Sequence, residues 1–258
     1  MATVLITGGT GTLGRRLVPR LLVDGHEVRV LSRSQSPAVA EGATAVRGDL
    51  STGDGLLDAV RGVDVVINAA SSPFRQTWVT DVFGAGRLVR ACQTEARAHL
   101  IQISIVGVDR NPIPYYRAKL AAEALIAESG LPWTVVRATQ FHDLLAGAFA
   151  RSARLGVVAA LRNVRFQPID AADVADQVAE VVASTGEPQR GLMPDLAGPE
   201  VRTHEELARI WVEAVGSGQR VVVLPAPGPW LAGFRQGTNI NPERAVGDIT
   251  FEQFLARQ

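Results

Sequence analysis

Short apolar runs alternate with stretches of helical periodicity through the first half of the chain. Thr3-Val-Leu-Ile-Thr7 is followed by the amphipathic segment GTLGRRLVPRLLVDG, and then by EVRVLS, ATAVRG, LLDAVRG and DVVINAA. The pattern goes on to predict a helix over Thr80 to Ala96, a strand in HLIQIS, a helix over YYRAKLAAEALIAES and a strand in WTVVRA. Alternation of this kind is the mark of βαβ units, so the expected fold class is α/β, a doubly wound parallel sheet of six strands ending near residue 139. In the YYRAKLAAEALIAES helix, Leu120, Ala124 and Ala127 fall at i, i+4 and i+7 and are expected to form the buried stripe against the sheet.

Beyond Gln140 the pattern shortens into helical and extended segments separated by Gly and Pro. Strong helix starts stand at Asp170, where Asp170 and Asp173 read as capping residues, and at the capping boxes Thr203-x-x-Glu206 and Thr250-x-x-Gln253. No Ser/Pro/Gly-rich linker divides the halves. Residues 1–139 are therefore expected to form a dinucleotide-binding core, with 140–258 a small substrate-side lobe interleaved with it in one compact unit.

Composition narrows the class. At 258 residues and 47% hydrophobic, the chain can bury a large core without metal or disulfides. Net charge is zero and the arginines are scattered, which leaves no electrostatic footprint for nucleic acid or an anionic membrane. The single cysteine, Cys92, reads as core, and the absence of a signal-peptide core or a bilayer-length apolar run points to the cytoplasm. His26, His99, His142 and His204 are dispersed, so no metal is expected. All but one of the 26 lysines and arginines are arginine; the exception is Lys119.

Directly after the first strand comes TGGTGTLGRRLV, with Gly8, Gly11 and Gly14 at intervals of three. Between a strand and a helix, such a loop presents backbone N–H groups and a helix N-terminus to a pyrophosphate. Gly8, Thr10, Gly11, Thr12, Leu13 and Gly14 are the expected phosphate-side contacts. An NAD site ordinarily closes its second strand with a carboxylate that accepts from the ribose. Here the stretch is Leu31-Ser32-Arg33-Ser34, so Ser32 and Arg33 suit the 2′-phosphate of NADP, with an exposed, solvating Arg33 as the alternative. Asp49 and Leu50 after the third strand, and Asn68-Ala69-Ala70 after the fourth, are expected beside the same cofactor.

Lys119 stands four residues after Tyr115, so one helical turn places both on the same face. A nearby ammonium favours phenolate over phenol, which suits Tyr115 to give a proton to a carbonyl oxygen or take one from an alcohol. Tyr116, three residues before Lys119, is the competing choice.

With TGGTGTLG, GDL, ISIVG, YYRAK, LPWTVVRATQF, PIDAADVA and DLAGPE, nearly the whole chain resembles the short-chain dehydrogenase/reductase superfamily. The likeness is to its extended or atypical branch, with NmrA-like and sugar-nucleotide-epimerase-like members. The resemblance implies a Rossmann fold, NADP(H), a Lys119 that also bonds the nicotinamide ribose, and a nicotinamide border at Ala138 to Phe141 that includes Gln140. It also implies a catalytic hydroxyl after the fifth strand. Ser104 is the one available, while alignment with epimerases puts Val106 there instead; Asn68, Gln140 and His142 are other polar candidates. The expected function is NADPH-dependent reduction of a carbonyl, quinone or conjugated small molecule in an apolar pocket, with Phe149, Trp230 and Phe234 as candidate walls. The alternatives are an NADP-sensing binding protein and an epimerase- or dehydratase-like enzyme.

Overall fold

The computed structural model describes residues 1–72, 76–184 and 191–258. Its central sheet has seven strands: β1 (Thr3–Thr7), β2 (Glu27–Ser32), β3 (Thr44–Arg47), β4 (Val65–Asn68), β5 (His99–Ile105), β6 (Trp133–Ala138) and β9 (Gly191–Leu192). They run in the order β3-β2-β1-β4-β5-β6-β9. The six expected strands are present, and β1 pairs in parallel with both β2 and β4. Every residue of β4 is buried, as befits a strand covered on both faces. The seventh strand, β9, is two residues long, too short to leave a periodic signal.

Helices α1 (Gly14–Val23), α2 (Leu56–Val60), α3 (Gly84–Glu95) and α4 (Pro114–Ala127) connect the first six strands. In place of the single helix expected from Thr80, the chain forms a π-helical turn over Trp78–Phe83 and only then enters α3. Asp81 and Val82 are the buried residues of that wide turn.

The buried face of α4 differs from the expected one. Leu120, Ala124 and Ala127 point to solvent, Leu120 being 38% exposed, while Tyr116, Ala118, Lys119, Ala122, Glu123 and Ile126 are buried. This helix is apolar on most sides, so periodicity alone does not choose a face. What turns Lys119 inward is a pair of buried oxygen acceptors.

The described residues divide into two compact units. The first comprises residues 1–104, 114–136 and 175–193, and the second 105–113, 137–174 and 194–258. In the second unit, α5 (His142–Ala153) and α7 (His204–Ala214) pack beside β7 (Val158–Leu161), which pairs in parallel with β11 (Val221–Leu224). Both capping boxes form, at Thr203–Glu206 and at Thr250–Gln253. Asp170 accepts the Ala172 N–H at 2.8 Å, as a cap does. Asp173 does not cap: its carboxylate accepts the N–H groups of Asp248 and Ile249, and burial raises it above the usual carboxylate range despite those bonds.

Phe149 is no pocket wall. It is fully buried, with ring neighbours His204, Trp211 and Phe251. Phe234 is also buried, against Phe166, whereas Trp230 is 61% exposed. Cys92 lies in the core of the first unit, where burial pushes its thiol up to about 12. No described helix is long and apolar enough to cross a membrane.

Candidate active site

The glycines after β1 serve different ends. Gly8 has φ +70°, and a Cβ there would come within 2.8 Å of the Ala70 backbone. At Gly9 a Cβ would meet Val30 at 2.6 Å, and at Gly14 it would collide with the Gly8 carbonyl and the Gly9 backbone. These three are required by the protein's own packing. Gly11 is exposed, and its nearest obstacle to a Cβ is the Gly8 carbonyl oxygen at 3.1 Å. Helix α1 starts with no side-chain cap and no acidic residue in its first turn, so the positive end of its dipole is not offset locally. Thr10 is exposed, Thr12 half-buried and Leu13 buried beneath the loop.

β1 and β4 are neighbours whose onward connections lead to opposite sides of the sheet, the switch point at which doubly wound sheets bind ligands. Thr7, Asn68 and Gln102 stand in register across β1, β4 and β5. Their side chains form a ladder: Thr7 Oγ1 donates to Asn68 Oδ1 at 2.7 Å, and Asn68 Nδ2 donates to Gln102 Oε1 at 2.8 Å. Gln102 Nε2 then donates to the Ile103 carbonyl at 2.8 Å. Asn68 is thus bonded within the sheet through both ends of its amide. Ala69 and Ala70 beyond it are half-buried, and the Ala70 N–H donates to Thr7 Oγ1 at 3.2 Å.

At the end of β2, Ser32 Oγ accepts the Ser34 N–H at 3.2 Å, and Arg33 is exposed. Partial burial alone would raise the Asp49 carboxyl. Hydrogen bonds from Ser51 N and Oγ, at 2.7 and 2.6 Å, together with the charges of Arg33 and Arg87, hold it below the usual range instead. Arg33 and Asp49 therefore share one locality. Leu50 is buried, and its carbonyl accepts from Arg87 at 3.2 Å.

Around α4 the structure adds residues that sequence reasoning did not single out. Tyr115 is half-buried and Tyr116 buried, their rings 6.2 Å apart edge to face. Lys119 Nζ donates to the Ile103 carbonyl at 3.0 Å and lies 3.3 Å from Asp81 Oδ1; the two side chains are 4% and 1% exposed. Ser71 Oγ donates to the same Asp81 oxygen at 2.7 Å and is 2.8 Å from the Tyr115 hydroxyl. Tyr115, Ser71, Asp81 and Lys119 thus form a continuous chain within the first unit. A carboxylate in the largely apolar stretch WVTDVFGAG was the one available signal for Asp81; nothing marked Ser71.

Ser104 is buried, and its hydroxyl has no hydrogen-bond partner among the described residues. Val106 and Gln140 belong to the second unit, where Gln140 Oε1 accepts from Asn239 at 3.2 Å. His142 is fully buried in that unit. Its Nε2 meets the Ile249 carbonyl at 2.9 Å, Phe251 and Phe254 lie against the ring, and burial lowers its proton affinity.

Residues 8–185 match the family described as NAD(P)H-binding. A (4-alkanoyl-5-oxo-2,5-dihydrofuran-3-yl)methyl phosphate reductase from Streptomyces griseus is 31% identical over 79% of this chain and 70% of that protein. The photosystem II assembly factor Ycf39 of Cyanophora paradoxa is 33% identical over 57% of this chain and 48% of that protein. The chain spans about half the length of several such curated relatives. Among solved structures, an NADPH-dependent quinone oxidoreductase from Escherichia coli, in complex with NADPH, has a TM-score of 0.80, covering 99% of each chain at 19% identity, a likeness of fold. A Rossmann-type sheet with a glycine loop at its switch point and a family match over most of its length make this chain a member of the NAD(P)H-binding family.

Proposed function

We propose that the chain is an NADPH-dependent oxidoreductase that reduces a carbonyl, quinone or related conjugated small molecule, with Tyr115 as the proton donor. The observation that carries this reading is a half-buried tyrosine hydroxyl linked through Ser71 and Asp81 to a buried lysine, in the same unit as the glycine loop. The likeness to the Streptomyces griseus reductase supports it.

The residues fit the cofactor at three places. Gly11 leaves the loop open where a backbone must approach a pyrophosphate. An ammonium has three N–H donors; those of Lys119 serve Ile103 and Asp81, and the third can bond a ribose hydroxyl. Arg33 beside Ser32 offers a fork to the 2′-phosphate. When bound, the nicotinamide supplies a hydride to the substrate carbon. Tyr115 delivers its phenolic proton to the substrate oxygen as negative charge develops there, and Lys119 keeps a positive charge one helical turn away.

Two substitutions check the cofactor assignments. Gly11→Ala should cost no more than about 1 kcal/mol of stability, because the Gly8 carbonyl needs to give by only a few tenths of an ångström, yet weaken NADPH binding about tenfold or more. Calorimetric melting beside fluorescence titration separates the two effects, and equal NADPH affinity would remove the loop from the site. Arg33→Asp should cost NADPH about ten- to a hundredfold in affinity, the worth of a charged hydrogen bond, and narrow the NADPH-to-NADH ratio. An unchanged ratio would leave Arg33 a solvated surface residue.

A second reading, a dinucleotide-binding protein without turnover, is favoured by the likeness to the Cyanophora paradoxa assembly factor. NADPH oxidation measured across quinones, ketones and enones separates the two readings. Turnover of any class supports the reductase, and tight NADPH binding with no turnover supports the binding protein.

A further inference from the structure

We propose that Ser71 is a hydrogen-bond switch for Tyr115: it accepts from the phenol at rest and turns its own hydroxyl onto the phenolate once Tyr115 has given up its proton, with Asp81 as the acceptor it leaves. This rests on the reading of Tyr115 as the acid. It adds two residues to the proton-donating group, neither adjacent to Tyr115 in the chain.

Proton inventory carries the argument. Asp81, paired with the Lys119 ammonium in a buried site, is a carboxylate and can only accept. Its Oδ2 takes the Ser72 N–H at 3.0 Å, and its Oδ1 takes Ser71 Oγ–H at 2.7 Å. Ser71 has one hydroxyl proton, and Asp81 holds it. At the 2.8 Å contact between Ser71 Oγ and the Tyr115 hydroxyl, the donor is therefore Tyr115. At rest all the hydrogen bonds point one way, from phenol to serine to carboxylate.

Transfer of the Tyr115 proton to a substrate oxygen reverses that logic at one atom. A phenolate only accepts, and the neighbour already within bonding distance is Ser71 Oγ. Rotation of the serine hydroxyl about its Cβ–Oγ bond aims the same proton at the phenolate. No covalent bond to Ser71 breaks and only its hydrogen bond to Asp81 is given up: the serine keeps its proton, the substrate oxygen gains the one Tyr115 lost, and Asp81 retains the Ser72 N–H and Lys119. Carboxylate and phenolate are both ionised acceptors, so the serine exchanges one charge-assisted bond for another while Lys119 and the Ser72 N–H continue to hold Asp81. The phenolate gains a donor that it has only after proton transfer. The π-helical turn Trp78–Phe83 places Asp81 for this, and such turns concentrate at functional sites.

The test uses the full chain. The chain has two tyrosines, so the difference between native and Tyr115→Phe isolates Tyr115 in ultraviolet resonance Raman spectra, where the tyrosine doublet reports whether a phenol donates or accepts. Native protein without substrate should give a donor signature for Tyr115, Ser71→Ala should lose it, and Ser71→Thr should restore it. With NADPH and menadione as the probe acceptor, Ser71→Ala should lower kcat about ten- to a hundredfold and leave KM within about twofold. In a Tyr115→Phe background it should have no further effect. A doublet unchanged by Ser71→Ala, or an equal loss of rate with and without the Tyr115 hydroxyl, overturns the proposal. If the native protein oxidises no NADPH with menadione or with any of the quinones, ketones and enones, the reductase reading fails, and the vibrational result alone decides whether Ser71 holds the phenol.

Discussion

Lys119→Met is expected to lower the stability of the folded protein by about 3–5 kcal/mol, the cost of leaving one member of a buried ion pair uncompensated. The Lys119 and Asp81 side chains are 4% and 1% exposed, 3.3 Å apart. Methionine fills much of the lysine volume but offers no charge, so Asp81 would face the interior with Ser71 and Ser72 as its donors among the described residues. Replacing both charges, as in Lys119→Met with Asp81→Leu, should recover most of the loss, because apolar isosteres of buried pairs are commonly as stable as the pair. Urea denaturation of the native, single and double variants measures this. A single variant within about 1 kcal/mol of native would mean the pair is solvated rather than buried. The consequence for function is direct: lost activity in Lys119→Met alone does not separate chemistry from folding, whereas a folded double variant that binds NADPH without turnover does.

Much of the fold was legible because its determinants are local. Each apolar run from TVLIT to WTVVRA became a strand, and both capping boxes formed, since a cap involves residues three apart in the chain. Reading failed where the deciding partner is remote. On α4 the sequence pattern offers several apolar faces; the buried one holds Lys119 and Glu123, which a pattern based on hydropathy assigns to solvent. β9 has too few residues to show a period. Phe149, a candidate pocket wall by sequence, is enclosed by rings from α7 and the C-terminal helix Phe251–Leu255.

At the site the same division holds. The glycine loop and the Tyr115-x-x-x-Lys119 spacing are contiguous and were readable. Ser71 and Asp81 reach that pair from the segment after β4, so no spacing in the sequence announces them. Their presence also changes the reading of Lys119. Its side chain is held by an acid and a carbonyl in addition to standing one turn from a phenol. Ser104, singled out as the family hydroxyl, is buried with no partner among the described residues, while Ser71 is the serine bonded to Tyr115.

Tyr115→Phe is the cleanest probe of the chemistry, because it removes one half-buried hydroxyl and no buried charge. Stability should change by no more than about 1.5 kcal/mol, the net worth of one hydrogen bond. The loss of a positioned general acid should lower the rate of hydride consumption about a hundred- to ten-thousandfold. The direct measurement is the single-turnover rate of NADPH oxidation at saturating acceptor, native against Tyr115→Phe, with NADPH affinity determined on the same samples. The account predicts matched affinities and a rate at least about a hundredfold lower in the variant. Equal rates in the two proteins would contradict it and remove Tyr115 from the reaction.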